Sequence, residues 1–464
     1  MEIKSLYKDI CRKVLVRFLI ILTVLILAYL LIALYFNSHF LIGTVINGVN
    51  VSLKAYKDVD AIMEEHVNGF ILTVTESDGK REEIKGQEIG LKYRKNNNIP
   101  QIYKLQKSLH WGKSIFQHRH YVTDSVFAFD NNALINRINR LSCLNRKVTE
   151  PQNVSYEYSD GIYVLVKEVH GNRINRNKLV KEIVNCIKTG KSNLDLKESD
   201  CYDKPEYTME SEKARRTLKV LNKYVSSKIT YLLGKEQETL DGDTFHHWIR
   251  VDESLNVLID KTAVSRYVKT LGKKYNTVGI ARKFKTSVGK TIEVKGGLYG
   301  WKINESEETA QLIKDIGKGS VTVREPVYKQ RALYRGDNEI GNTYVEINIT
   351  RQHLWFYKDG KLIAHGPVVT GNPNKGNATV VGTNMLNYKQ EGAVLSGPGY
   401  EVKVKYWMPF YGNIGLHDAS WRHAFGGNIY KNRGTHGCVN GPLYLVKKIY
   451  ENIEEGISFI SYEE

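Results

Sequence analysis

The sequence predicts a multidomain α+β protein: a single transmembrane helix, two small α/β modules and a C-terminal, mostly-β domain. Three observations carry this expectation. They are an uncharged run near the N-terminus, a weak internal repeat through the middle, and a switch after Thr343 to alternating strands punctuated by Gly and Pro. At 464 residues the chain can bury several cores, and 42% hydrophobic with 25% charged residues excludes wholesale disorder.

The N-terminal element comes first. Phe18–Phe36, "FLIILTVLILAYLLIALYF", holds no charge. At 1.5 Å per residue it reaches roughly 28 Å, enough to cross the hydrocarbon core of a bilayer. Lys4, Lys8, Arg12, Lys13 and Arg17 precede it, whereas the following "NSHFLIGT" has no Lys or Arg. The positive-inside rule puts the N-terminus in the cytoplasm and everything after about residue 40 outside the cell membrane. A cleaved signal peptide is the competing reading; the length of the run and the lack of an A-x-A-like site favour an uncleaved anchor. Cys11 then falls inside, and Cys143, Cys186, Cys201 and Cys438 outside. That is too sparse for a disulfide framework, although a Cys186–Cys201 pair is left open.

The middle of the chain repeats itself. "EVHGNRINRNKLVKEIVNCIKTG" from Glu168 and "EVKGGLYGWKINESEETAQLIKDIGKG" from Glu293 both run strand, Gly turn, Ile-Asn, then a helix ending in Gly. Upstream, "FILTVTESDGKREEI" and "ITYLLGKEQETLDGD" echo each other as hairpins. The expected segments are 1–40 (tail and anchor), 41–205 and 206–322 (two α/β modules), 323–341 (a polar linker) and 342–464 (the last domain). "MESEKARRTLKVLNKYV" has helical spacing and opens the second module. The pairs His118/His120 and His246/His247 lack cysteines or carboxylates at ligand spacing, so no metal is expected.

In the last domain, "TYVEINITRQHLWFYKDGKLIAHGPVVTG" reads as two strands joined by a Lys358-Asp359-Gly360-Lys361 turn. Further on lies H-x17-T-H-G-C-V-N: His417, then Thr435, His436, Gly437, Cys438 and Asn440. A free thiol attacks slowly, so a nucleophilic cysteine needs a base or a lowered pKa. After Cys438, Asn440 is an N-cap candidate, Pro442 suits a first turn, and Gly456 ends a helix with Leu443, Val446, Tyr450 and Ile453 on one face. The expected helix N-terminus close behind Cys438 favours thiolate. Gly437 removes a side chain where the chain turns, and backbone N–H groups there are the natural oxyanion donors. His436 and His417 both compete as base. Residues two apart seldom face each other, whereas His417 arrives from another strand.

The motif, its flanking strands and its terminal position resemble the L,D-transpeptidases, the cysteine enzymes that cross-link peptidoglycan. The resemblance runs from near Tyr344 to the C-terminus, and the two upstream modules resemble the peptidoglycan-binding domains that often precede this catalytic domain. It implies that His417 is the base, with a backbone carbonyl, from Asp418, orienting its other ring nitrogen; the Asp418 carboxylate is the alternative orienter. It further implies that Thr435 and His436 shape the site and that Asn440 holds the turn or the cap. "YWMPFYG" offers Tyr406, Trp407 and Phe410 either as substrate groove or as buried strand. Family members carry a Thr-Pro-x-Gly stretch where this chain has Val381-Gly382-Thr383, so the mobile wall of the site is expected to differ.

The implied reaction is ping-pong acyl transfer between stem peptides through a Cys438 thioester, needing neither cofactor nor metal. An L,D-carboxypeptidase activity of the same site is the alternative. A sortase would show T-L-x-T-C with a downstream Arg, and no Arg follows Arg433; a papain-like enzyme would place its cysteine before its histidine. The formal charge of +17 suits an anionic wall polymer or is simply a lysine-rich surface. No nucleic-acid module accompanies it.

Overall fold

The computed structural model describes residues 2–95, 98–123, 126–397 and 400–464. The side chains of residues 1–5, Lys4 of the basic flank among them, and of Tyr400 lie outside the described residues. The chain forms two compact units: residues 1–155 with 166–209, and residues 156–165 with 210–464.

In the first unit a helix runs Glu2–Tyr35, and its Leu6–Tyr35 portion is long and apolar enough to cross a membrane. It leads into a three-stranded sheet in which Ile71–Thr75 pairs antiparallel with Arg81–Lys85 and parallel with Asn193–Asp195. Helix Arg176–Thr189 packs Leu179, Ile183 and Ile187 into the core. Asn175 caps it by accepting from the Lys178 N–H at 3.1 Å, and Gly190, at φ 68°, ends it in the left-handed conformation. Cys143, Cys186 and Cys201 are buried free thiols, so the Cys186–Cys201 pairing left open by the sequence is not formed in this structure. They fill this core as small hydrophobes, and burial pushes Cys143 and Cys201 up to about 11.

The second unit repeats the pattern after its opening helix, Glu212–Val225. Lys228–Leu233 pairs antiparallel with Glu236–Asp241 and parallel with Val321–Arg324. Helix Glu305–Lys318 is capped by Asn304 and ended by Gly319 at φ 70°. In both copies a β-hairpin is inserted before this capped helix: Ser155–Ser159 with Ile162–Val166 in the first, Arg282–Lys285 with Thr291–Val294 in the second. The first hairpin belongs to the second unit. There Tyr163 is buried, and its N–H and carbonyl both bond the Asn222 amide, at 2.7 and 3.0 Å.

The second hairpin is bound to the C-terminal domain. Its turn residue Ser287 donates N–H and O–H to the fully buried Glu346 carboxylate, which also accepts from the Tyr462 hydroxyl at 2.6 Å. Phe284 and Val294 share a core with Ile340, Ile460 and Tyr462. The segment expected as a linker, 323–341, is tied down here. Its Glu339 forms a buried 2.5 Å ion pair with Arg282, and Ile340 is buried beside it. A polar composition reads as a free linker because the ion-pair partner lies 57 residues away.

Strands of the C-terminal domain are numbered here β1 (Tyr344–Asn348), β2 (His353–Lys358), β3 (Lys361–Pro367), β4 (Gly382–Met385), β5 (Gln390–Gly397), β6 (Tyr400–Tyr411), β7 (Ile414–Asp418), β8 (Val439–Gly441) and β9 (Ser458–Tyr462). One sheet has the order β3-β2-β1-β9-β4, with β1 and β9 parallel; the other has the order β5-β6-β7-β8, with β7 and β8 parallel. Asp359 (φ 50°) and Gly360 (φ 76°) make the expected two-residue turn between β2 and β3. Ile347, Phe356, Met408, Leu416 and Phe459, with Leu445, Val446 and Ile449 of helix Leu443–Asn452, fill the core between. Of the face expected from Leu443, Val446, Tyr450 and Ile453, Val446 and Ile453 are buried in this core and Tyr450 packs against it, with Leu445 and Ile449 added. Val381–Thr383 is not a wall of the cleft: Gly382 and Thr383 belong to β4, paired with β9.

Candidate active site

A cleft of about 520 Å³ opens on the four-stranded sheet. His417 and Cys438 both line it: His417 lies on β7 opposite Asn440 of β8, and Cys438 ends the turn that leads into β8. His436, exposed, and Thr435, buried, complete its floor and rim. The wall opposite is the β5–β6 hairpin, through Gln390, Ala393, Leu395 and Val402.

The 434–438 turn is held on several sides. Gly437 adopts φ 122°, a conformation open to glycine, and a Cβ there would meet Ile414 at 3.0 Å. The Thr435 hydroxyl donates to the Cys438 carbonyl at 2.5 Å and accepts from the Gly437 N–H at 3.1 Å. Thr379 donates to the Gly437 carbonyl at 2.7 Å. The Gly437 N–H is bonded to Thr435, and Gly437 contributes the turn.

His417 is 4% exposed. Its Nδ1 lies 2.9 Å from the Asp418 backbone carbonyl. A carbonyl only accepts, so Nδ1 carries the proton and Nε2 is left as the basic nitrogen. The Asp418 carboxylate is occupied elsewhere, accepting the N–H groups of Lys405 and Tyr406 at 2.8 Å each. The Trp407 and Trp421 rings flank His417 at 5.8 and 6.0 Å, and burial holds its pKa below the ordinary 6.5.

Burial also raises the Cys438 thiol above its ordinary value, opposed by a hydrogen bond from the Gly415 backbone. The thiol points at the Asn413 carbonyl, 3.6 Å away. The expected stabilisation of thiolate by a helix N-terminus is corrected. Strand β8 intervenes, and the helix starts only at Leu443 behind Pro442, beyond the one-turn reach of its terminal charge. Asn440 is likewise not a cap. It sits on β8, bonded through its backbone to Val369, with its side-chain oxygen buried and lacking a hydrogen-bond partner.

Of the three aromatic candidates on β6, Trp407 alone lines the cleft. Phe410 stacks on Phe459 at 4.8 Å in the core, and Tyr406 packs on Tyr450 at 4.8 Å. The strand's period of two sends 406, 408 and 410 to the face opposite 407. Sequence reasoning missed Tyr388, Asn413, Trp421 and Arg422, all of which line the cleft. The signal for the last two was their place in the x17 loop, both ends of which return to the site. Among the described residues no group of three His, Cys, Asp or Glu side chains is placed to hold a metal ion. His246 instead stacks on Tyr158 at 4.1 Å.

Residues 342–460 match the family model for the L,D-transpeptidase catalytic domain. Residues 82–195 and 207–324 each match the model described as "Putative peptidoglycan binding domain". Among solved structures, the chain is similar to the Ldtfm–avibactam carbamoyl enzyme, with 32% identity over 54% of this chain and 99% of that one (TM-score 0.43). It is equally similar to a Cys-to-Ser mutant of the Enterococcus faecium L,D-transpeptidase, with 32% identity over 53% and 100% (TM-score 0.43). The catalytic domain of the E. faecium enzyme acylated by ertapenem shares 36% identity over 26% and 98% (TM-score 0.25). No curated protein matches.

Proposed function

The chain belongs to the L,D-transpeptidase family and is a peptidoglycan cross-linking transpeptidase; from that premise we propose that Cys438 and His417 carry the acyl transfer. The observation that carries this reading is that both side chains line one cleft, while the Asp418 carbonyl fixes the His417 tautomer. His417 Nε2 takes the thiol proton as Sγ attacks the carbonyl of the third residue of a tetrapeptide stem. The tetrahedral oxyanion collapses to a thioester as the terminal D-Ala amine leaves with that proton. A side-chain amine of a second stem then attacks the thioester, loses a proton to His417, and frees Cys438 with a 3→3 cross-link formed. Asn440, through its unbonded side-chain oxygen, accepts an N–H of the bound stem. Trp407 shields His417 from water and forms part of the groove.

The long apolar helix is read as an uncleaved anchor with its basic flank in the cytoplasm, which places the two modules and the catalytic domain in the wall. The charge of +17 suits association with anionic wall polymers there. The test incubates the protein with disaccharide-tetrapeptide and weighs the products: cross-linked dimers with loss of D-Ala are expected. A Cys438→Ala protein that still forms dimers overturns the assignment. The enterococcal catalytic domain is acylated by ertapenem; the same adduct is expected on Cys438, and an intact mass left unchanged by ertapenem counts against it.

A further inference from the structure

The two repeats differ in one loop. In the second module the paired strands Ile249–Val251 and Val257–Ile259 are joined by residues 252–256. In the first module the equivalent strands, Lys92–Tyr93 and Phe127–Ala128, are separated by residues 94–126. This excursion carries an uncommon density of exposed apolar side chains: Leu105 (70%), Leu109 (55%), Ile115 (45%) and Phe116 (86%). Between Glu88 and Asp124 the sequence holds no acidic residue, while Lys104, Lys107, Lys113 and Arg119 accompany the apolar groups.

The excursion lies against the N-terminal helix within its apolar portion. The Tyr29 hydroxyl donates to the Leu109 carbonyl at 2.5 Å, and the Trp111 indole N–H donates to the Tyr29 carbonyl at 3.1 Å. The two rings are 5.0 Å apart, and a Cβ on Gly112 would meet the Tyr29 ring at 3.4 Å, so the fit is close. Tyr29 is six residues inside the helix end at Tyr35, roughly 9 Å along the axis. Between helix and excursion is an apolar cleft lined by Leu31, Ile32, Tyr35, Phe36, Leu53 and Trp111.

We propose that Leu105–Phe116 is a second lipid contact, lying in the membrane surface beside the anchor. The proposal rests on the reading of the N-terminal helix as membrane-spanning. A helix that crosses a bilayer carries whatever is bonded at Tyr29 down to the level of the headgroups or deeper. Exposed Leu, Ile and Phe, an interfacial Trp and lysines without acidic neighbours are the chemistry of a segment lying on an anionic lipid surface. The second module, which adjoins no such helix in the chain, has only the short loop.

The full chain is reconstituted in nanodiscs of phosphatidylcholine and phosphatidylglycerol containing a photoactivatable phospholipid, and labelled peptides are mapped by mass. Label on both the N-terminal helix and 105–116 is expected. Label on the helix alone overturns the proposal and leaves the anchor intact; label on neither overturns the anchor reading, and the proposal with it. The double variant Leu109→Asp/Phe116→Asp alters exposed side chains and is expected to lose label on the segment about tenfold, keeping that on the helix. Phe116→Trp is expected to retain it. Segment label undiminished in the double variant, or a cross-link to a second copy in place of lipid, overturns the proposal.

Discussion

Burial acts on Cys438 and His417 in opposite senses, raising the thiol and lowering the imidazole. At neutral pH the proposed pair therefore rests as a neutral thiol and a neutral imidazole, and in the proposed mechanism the proton moves only as the carbonyl is attacked. The sign for activity follows. His417 stays neutral until the pH falls through its lowered pKa, so the acid limb of kcat/KM is expected below 6.5, the ordinary imidazole value. A limb centred at or above it in a pH–rate series would contradict the buried neutral base. Arg422 faces the same cleft, bonded to the Arg433 carbonyl at 2.9 Å, with a buried Nε lacking a partner. It suits a carboxylate of the stem. A charge-assisted hydrogen bond contributes about 1.5–3 kcal/mol, so Arg422→Ala is expected to raise KM about ten- to a hundredfold with kcat little changed. Steady-state kinetics on tetrapeptide check this, and an unchanged KM would remove Arg422 from the binding site. The Gly437 turn is legible because a glycine between two functional residues is a local signal, and the structure gives it φ 122°. Asn440 was misread because Asn-Gly-Pro is a strong local cap signal, while its strand role depends on β7, a distant segment.

At the scale of elements, sequence reading succeeded where a short-range rule decides. The Asn caps and glycine ends of helices Arg176–Thr189 and Glu305–Lys318, and the Asp359-Gly360 turn, are such cases. The phase of β6 was not readable, since both faces of "YWMPFYG" are apolar and the core takes one by non-local packing. Nor was the destination of the inserted hairpins. Tyr163 supplies a buried ring to the second unit's core and its backbone to Asn222. Tyr163→Ala is expected to cost about 3 kcal/mol, and Asn222→Ala about 1–2 kcal/mol, in the stability of residues 210–464. Hydrogen exchange should show the loss in that unit, with protection of the first unit's sheet unchanged. A loss confined to residues 71–85 would mean that the hairpin supports the first unit instead.

Over the whole molecule, the second module and the catalytic domain are one folding body. The Ser287–Glu346–Tyr462 cluster and the close fit of Gly297 on Thr383 cross between them, and the buried Arg282–Glu339 pair fastens the intervening segment to the inserted hairpin. Removing one partner of a buried ion pair leaves the other unpaired, so Glu339→Ala is expected to cost about 3–5 kcal/mol. Calorimetry should register residues 210–464 as a single transition; two separate ones would show the modules to be independent. The hairpin at 156–165 adds a matter of timing. It precedes the unit it completes, and the first unit closes over residues 1–155 and 166–209 without it. A chain delivered across the membrane from its N-terminal side has this hairpin outside, waiting, before the rest of its core emerges. On the topology proposed above, the connectivity sets a schedule for assembly, in which the second unit receives a segment exported ahead of it.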